Sequence, residues 1–306
     1  MTRIPTLFAH QRALDALAQR RSALVNDQLQ MSTGRRVNDP SDDPLAAAQA
    51  ERLRSQLMRI SIENRMIGFA RQVLSTAEAT LGQVGDALQF ARESLVSAGN
   101  GAMTPEDRAL IAKELQGIRE QLVSLANRRD GTGGYVFGGQ GTTTAPFDPV
   151  SGEPLLAPGA AGPHPGEQHT GLDRLYATTQ DGRTIFVDAG SGQTIFAALD
   201  EAIEGLEQGV TGGALDTLLA AGIDAIDATH ERVLMARTRA GEQLRSIDAQ
   251  ESALAGGDLD ARERLSALVD LDYAAAISSF QNNRTALEAA MTTYAQIARM
   301  SLFDYL

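Results

Sequence analysis

The chain has 306 residues, a formal net charge of −12, no cysteine and no tryptophan. Without cysteine there is no disulfide framework, thiolate chemistry or cysteine-ligated zinc, and the acidic balance argues against a nucleic-acid binder, which needs a basic face. Aromatics make up only 5% of residues, which suits helix–helix seams better than one large globular core.

From Ile4 to Thr33, Leu7, Leu14, Leu17, Leu24 and Met31 hold a helical stripe, interrupted by Arg21 and Gln28. This start lacks the unbroken apolar run of a secretory signal, and no segment approaches the roughly 18 apolar residues of a membrane span. Gly34 closes the stripe as a helix C′ residue. Asp43 then caps a new helix, with Pro44 at its first position, where proline is tolerated. Asp42 and Asp43 also lie where that helix's dipole is positive.

The next element is a ladder. Leu53, Ile60, Ile67, Leu74, Leu81, Leu88 and Leu95 recur at every seventh residue, a repeat that keeps one seam facing a partner helix. Residues 44–98 predict a rod of about 80 Å at 1.5 Å per residue. Gly99-Asn100-Gly101 ends it, and Thr104-Pro105-Glu106-Asp107 opens a further helix to about Arg129.

Residues 131–193 differ in kind, being rich in proline and glycine. Tyr135–Phe137, Leu175–Thr179 and Thr184–Val187 are strand candidates, with turns at Asp181-Gly182 and Ser191-Gly192. They predict a small β-rich insert with a Pro/Gly loop around residues 145–171. Helical periodicity resumes near Thr194, with a short helix to Glu207. A second ladder follows at Leu219, Ile226, Val233, Ala240, Ile247 and Leu254, and Gly256-Gly257 is expected to break it. The last helix, about 259–303, carries a seam through Tyr273, Ile277, Phe280, Arg284, Leu287, Met291, Tyr294 and Ala298.

The pattern is nearly symmetrical about the insert. It predicts a mainly α fold with a small β-rich insert: a long antiparallel helical rod built from N- and C-terminal halves and ending in a terminal coiled coil. The expected domains are 1–43 with 258–306 as the terminal coiled coil, 44–130 with 194–257 as the helical rod, and 131–193 as the outer insert. Polar Arg21, Gln28 and Arg284 weaken the terminal seams, so those ends are expected to fold when packed against neighbouring subunits.

No reactive constellation emerges. His164 and His169 have the wrong spacing for HExxH, with Pro165 and Gly166 inside. His10 and His230 stand alone on helices. Asp39, Asp42 and Asp43 lack the alternating acids, central glycine and closing glutamate of an EF-hand. Gly131–Gly134 and Gly138–Gly141 match neither a phosphate loop nor a dinucleotide fingerprint. The ladders carry none of the Glu/His pairs of a metal-binding bundle. The expectation is no catalytic residue, no cofactor and no metal.

The two ends carry a resemblance. LQMSTGRRVNDPSDDPLAAAQA (29–50), with Thr33-Gly34-Arg35-Arg36-Val37-Asn38 followed by Pro40–Pro44, resembles the N-terminal signature of the flagellin superfamily in its hook-associated protein 3 branch. The run LDYAAAISSFQNNRTALEAAMTTYAQIARMSLFDYL (271–306) is still more similar to that branch, through Asp272-Tyr273-Ala274 and the closing Ser301-Leu302-Phe303. GGYVFGGQGTTTAPF (133–147) also resembles it. The stretch 150–171 departs from the family pattern.

The resemblance implies a structural protein of the bacterial flagellum joining hook to filament, exported unfolded by the flagellar type III route and located outside the cell. Implied partners are further copies of itself in a ring or helical layer, hook-associated protein 1 on the hook side, flagellin on the filament side and an export chaperone. Packing would fall on Leu7, Leu14, Leu24, Tyr273, Ile277, Phe280, Leu287, Met291, Tyr294, Leu302 and Phe303. The corner at Gly34, Asn38, Asp42, Asp43 and Pro44 would act as a joint. The competing readings are a flagellin forming the filament itself, a flagellin-like rod carrying an enzymatic insert, and a coiled-coil scaffold unrelated to flagella.

Overall fold

The computed structural model describes residues 6–131, 133–139, 144–155, 167–169, 175–177 and 179–303. In chain order the elements are α1 (Thr6–Thr33), α2 (Pro44–Ala98), α3 (Pro105–Ala126), β1 (Glu167–His169), β2 (Leu175–Ala177), α4 (Arg183–Phe186), α5 (Ile195–Glu207), α6 (Gly213–Val269) and α7 (Tyr273–Phe303). No described helix is long and apolar enough to cross a membrane. Residues 62–254 form one compact unit, and residues 1–61 with 255–306 form another.

In the first of these units the ladders make the core. Ile67, Leu74, Leu81, Leu88 and Leu95 of α2 have no exposed surface. Leu219, Ile226, Val233, Ala240, Ile247 and Leu254 of α6 are buried as well. The facing pairs run in opposite chain directions: Arg71 bonds Asp248 and Glu251, Glu78 bonds Arg237, Arg92 bonds Asp227 and Gly222 abuts Leu95. Each fully buried leucine contributes about 1.5–3 kcal/mol, whereas an exposed ion pair contributes about 0–1 kcal/mol. The seam therefore decides the pairing and the flanking charges trim its register.

Helix α3 starts as its residues require. The Thr104 hydroxyl accepts the Asp107 amide (3.2 Å) and the Asp107 carboxylate accepts the Thr104 amide (3.1 Å), a reciprocal capping box. It packs against α5, whose own cap is the Thr194 hydroxyl, 3.1 Å from the Ala197 amide.

Between α3 and α5 the described residues make less strand than the composition suggests. β1 and β2 are three-residue strands paired antiparallel, and isolated bridges join Arg129 to Tyr135, Gly138 to Asp181, Phe147 to Pro154 and Val187 to Thr194. The strand candidate Thr184–Val187 is instead mostly the helical turn α4. Asp181 accounts for this: its carboxylate accepts the Arg183 amide (2.9 Å) and its carbonyl accepts the Thr184 amide (3.1 Å), winding the chain before extension begins. Four buried rings anchor the segment. Phe137 and Phe147 meet Phe186 edge-on, at centroid distances of 5.3 and 5.5 Å. Phe196 of α5 lies 5.4 Å from Phe147 and 5.7 Å from Phe186. All four belong to the same apolar core as Leu81, Leu199 and Val233.

Two hairpins frame this cluster, and they are copies of one pattern. Phe147-Asp148-Pro149-Val150-Ser151-Gly152-Glu153-Pro154 and Val187-Asp188-Ala189-Gly190-Ser191-Gly192-Gln193-Thr194 share Asp, Ser and Gly at equal spacing. In each, one aspartate oxygen accepts two successive amides: Val150 and Ser151 in the first, Gly190 and Ser191 in the second. In each, the glycine takes a positive φ (70° and 73°) and its amide bonds the aspartate carbonyl. Because a loop repeat has no helical or strand period, periodicity does not reveal it.

In the other unit, Gly256 and Gly257 do not break α6. The helix runs through them to Val269, with Gly257 facing Ile60 of α2. A glycine costs a helix about 1 kcal/mol relative to alanine, which flanking turns and seam packing absorb. The break lies at Asp270–Asp272, where Asp272 accepts the Ala274 and Ala275 amides (3.0 and 3.2 Å) and so caps α7.

Candidate assembly surface

The corner after α1 is built by its own polar groups. Gly34 takes φ 69°, and its amide bonds the Gln30 carbonyl at 2.8 Å, closing α1. One oxygen of Asp42 accepts the amides of Asn38 (3.0 Å) and Asp39 (2.9 Å), and the Asn38 side-chain amide donates to the Arg35 carbonyl (3.2 Å). Asp43 accepts the Ala46 amide at 3.0 Å, capping α2 with Pro44 as its first residue. The Ala46 amide and, beside it, the Arg36 guanidinium hold the Asp43 carboxyl below the usual carboxylate range.

This corner is tied to the break between α6 and α7. The Arg36 amide donates to the Val269 carbonyl (2.7 Å) and the Leu271 amide to the Gly34 carbonyl (3.0 Å), forming an antiparallel bridge between Arg35 and Asp270. The Arg36 side chain adds two contacts, to the Leu268 carbonyl (2.7 Å) and to Asp43 (3.3 Å). One guanidinium thus satisfies an orphan carbonyl at the end of α6 and the capping acid of α2. Val37 is buried beneath the loop, and Tyr273 stands over Gly34, its hydroxyl 3.4 Å from the Met31 carbonyl.

Helices α1 and α7 pack together, and polar groups sit inside their seam. The Asn283 amide donates to Asp27 (2.7 Å), the Ser279 hydroxyl donates to Asp27 (3.3 Å), and Arg20 donates to Asn283 (3.4 Å). A buried or half-buried polar pair fixes the axial register of paired helices at some expense in stability. Of the residues singled out for packing, Leu24, Phe280, Leu287 and Tyr294 are half-buried, while Leu14, Tyr273, Ile277 and Met291 are exposed. The side chains of Leu7, Leu302 and Phe303, and all of His164, lie outside the described residues. Leu17, Leu24, Val25, Leu287 and Met291, with Arg21, line an apolar groove of about 740 Å³ along this pair.

Arg36, Asp27, Asn283 and Asp272 are the working groups that periodicity misses. Arg36, Asp272 and Asn283 did lie within the two end signatures; Asp27 carries no signal, being one acid among many on a helix face. Among the described residues no group of three or more His, Asp or Glu side chains could hold a metal ion.

The N-terminal region, residues 4–142, matches the family model described as the bacterial flagellin N-terminal helical region. Over 324 aligned residues the chain is 34% identical to flagellar hook-associated protein 3 of Salmonella typhimurium, spanning 99% of each chain. A solved structure from Vibrio parahaemolyticus, assigned as a flagellar hook-associated protein, superposes with a TM-score of 0.68 at 24% identity, covering 74% of this chain and 99% of that one. The flagellar junction protein FlgL of Legionella pneumophila superposes at 0.56 with 17% identity, over 74% of this chain and 100% of the other. These two structures speak for the fold, which is flagellin-like.

Proposed function

Because the chain belongs to the flagellar hook-associated protein 3 family, we propose that it is a structural protein of the bacterial flagellum that joins the hook to the filament. The observation that carries this reading is the likeness over 99% of both chains, which includes the corner at residues 34–44 and the closing helix. The work is mechanical rather than enzymatic. Residues 44–130 and 194–257 serve as an antiparallel helical rod, residues 131–193 as a small β-containing insert, and α1 with α7 as the assembly end. There Leu7, Leu14, Leu24, Tyr273, Ile277, Phe280, Leu287, Met291, Tyr294, Leu302 and Phe303 meet neighbouring copies. Gly34, Asn38, Asp42, Asp43 and Pro44 form the joint.

The partners in this reading are further copies in a ring or helical layer, hook-associated protein 1 on the hook side and flagellin on the filament side. An export chaperone covers the exposed apolar residues of α7 until the chain leaves through the type III channel and takes its place outside the cell. Exposed Tyr273, Ile277 and Met291 support that part, since apolar side chains left open on a helix are an aggregation hazard. Deletion of the gene is expected to leave hooks without filaments and flagellin shed into the medium. A normal filament in the deletion strain overturns the proposal.

A further inference from the structure

The turn between α2 and α3 contains the chain's only Asn-Gly pair, Asn100-Gly101, and both residues are exposed. Among the described residues its contacts hold both Asn100 oxygens and leave the Gly101 nitrogen unengaged. The Ala102 amide donates to Asn100 Oδ1 at 3.1 Å. The Gly101 amide makes no hydrogen bond among the described residues, and nothing lies within 4 Å of where its Cβ would be. The main-chain carbonyl of Asn100 accepts from Arg108 Nη2 (3.2 Å) and from the Met103 amide (3.0 Å). Arg108 is itself buried; its Nε donates to the Ala98 carbonyl (3.0 Å), and it makes no ion pair among the described residues. A buried cation therefore faces carbonyl oxygens alone.

We propose that Asn100 is a self-modification site that converts to isoaspartate, with Arg108 directing the outcome and receiving the new carboxylate. The Gly101 nitrogen gives its proton to water and bonds to Cγ of Asn100. Charge developing on Oδ1 is stabilised by the Ala102 amide already aimed at it. Nδ2 takes a proton from water, the Cγ–Nδ2 bond breaks and ammonia leaves, closing a succinimide. Water then opens the ring at one of two carbonyls. Arg108 Nη2 and the Met103 amide polarise the former main-chain carbonyl, so the oxygen of water adds there, the bond from that carbon to the Gly101 nitrogen breaks, and that nitrogen takes back a proton from the water. The product is isoaspartate: its chain passes through the old side chain and its free carboxylate occupies the place of the old carbonyl.

The product keeps the contacts already formed. Ala102 still donates to the former Oδ1, now a main-chain carbonyl. Arg108 and Met103 still donate to the former main-chain oxygen, now part of a carboxylate, and the Arg108 bond becomes charge-assisted at both ends. Opening at the other carbonyl would yield ordinary aspartate and leave Arg108 without a counter-charge.

The test incubates the folded full-length protein at neutral and mildly alkaline pH and maps its tryptic peptides, with isoaspartate read by enzymatic methylation. Residues 93–108 form the diagnostic peptide. Asn100 is expected to convert faster than Asn64 and Asn127, and faster as pH rises. Gly101→Ala lowers its rate to theirs. The folded protein gives a larger isoaspartyl share than the same chain in urea, where Arg108 is not in position, and Arg108→Lys shifts the folded product toward aspartate. Conversion no faster than at Asn64 overturns the proposal. An equal isoaspartyl share in folded and urea-unfolded chain, a comparison that needs no variant to fold, overturns the role of Arg108.

Discussion

Replacing Arg36 with alanine tests whether one side chain holds the corner to the break that precedes α7. The substitution removes the 2.7 Å bond to the Leu268 carbonyl and the 3.3 Å contact to Asp43, while the backbone bridge at Arg35 and Asp270 stays possible. A hydrogen bond from a charged donor contributes about 1.5–3 kcal/mol when sheltered. Here the side chain is 46% exposed, so solvent screening brings the Leu268 bond down to about 1 kcal/mol. That corresponds to a roughly fivefold rise in the local opening equilibrium. Native-state hydrogen exchange reads it directly, because the Arg36 and Leu271 amides are the two donors of the bridge. Both should exchange about five times faster in the variant, with the Leu81 amide in the core as an unchanged reference. If the two bridge amides keep their wild-type rates, the backbone alone closes the joint and the reasoning about Arg36 fails.

Leu81 has no exposed surface, so Leu81→Ala should cost about 2–5 kcal/mol of global stability. Chemical denaturation will show it, and Leu45→Ala, at a position 70% exposed, serves as a near-silent control. Acid should weaken the fold through Asp43, Asp148 and Asp188. Each has its folded pKa lowered, chiefly by backbone amides. Such a group stabilises the folded state above its unfolded pKa of about 3.9, and that stability drains away as pH falls from there through the folded value. Tm should therefore hold from pH 7 to about 5 and drop below about 4. The gap between wild type and an Asp148→Asn, Asp188→Asn double variant should narrow over the same range; a constant gap down to pH 3 would mean that the hairpin carboxylates do not titrate with folding.

Much of the fold can be read along the chain. Seven-residue spacing predicts both ladders, and the leucines and isoleucines from Ile67 to Leu95 are buried together with their counterparts from Leu219 to Leu254. Local chemistry places the helix starts, since Asp43 and Thr104 bond amides only three residues away. The end signatures point to the family because they are long and dense in unusual residues. The misplaced break in α6 shows where such reading stops. Gly256-Gly257 carries the stronger breaking signal by propensity, yet the helix passes through and ends at Val269. Propensity differences of about 1 kcal/mol per residue yield to tertiary packing.

What the sequence by itself determined is what depends on neighbours a few residues apart: helix identity, the periodic seams and the caps. Tertiary structure alone decided which distant groups meet. Nothing local says that Arg36 bonds Leu268, that Asp27 receives Asn283, or that Phe186 meets Phe137 and Phe147. Those contacts cross long stretches of chain, and their energies count only once folding has brought the partners into range.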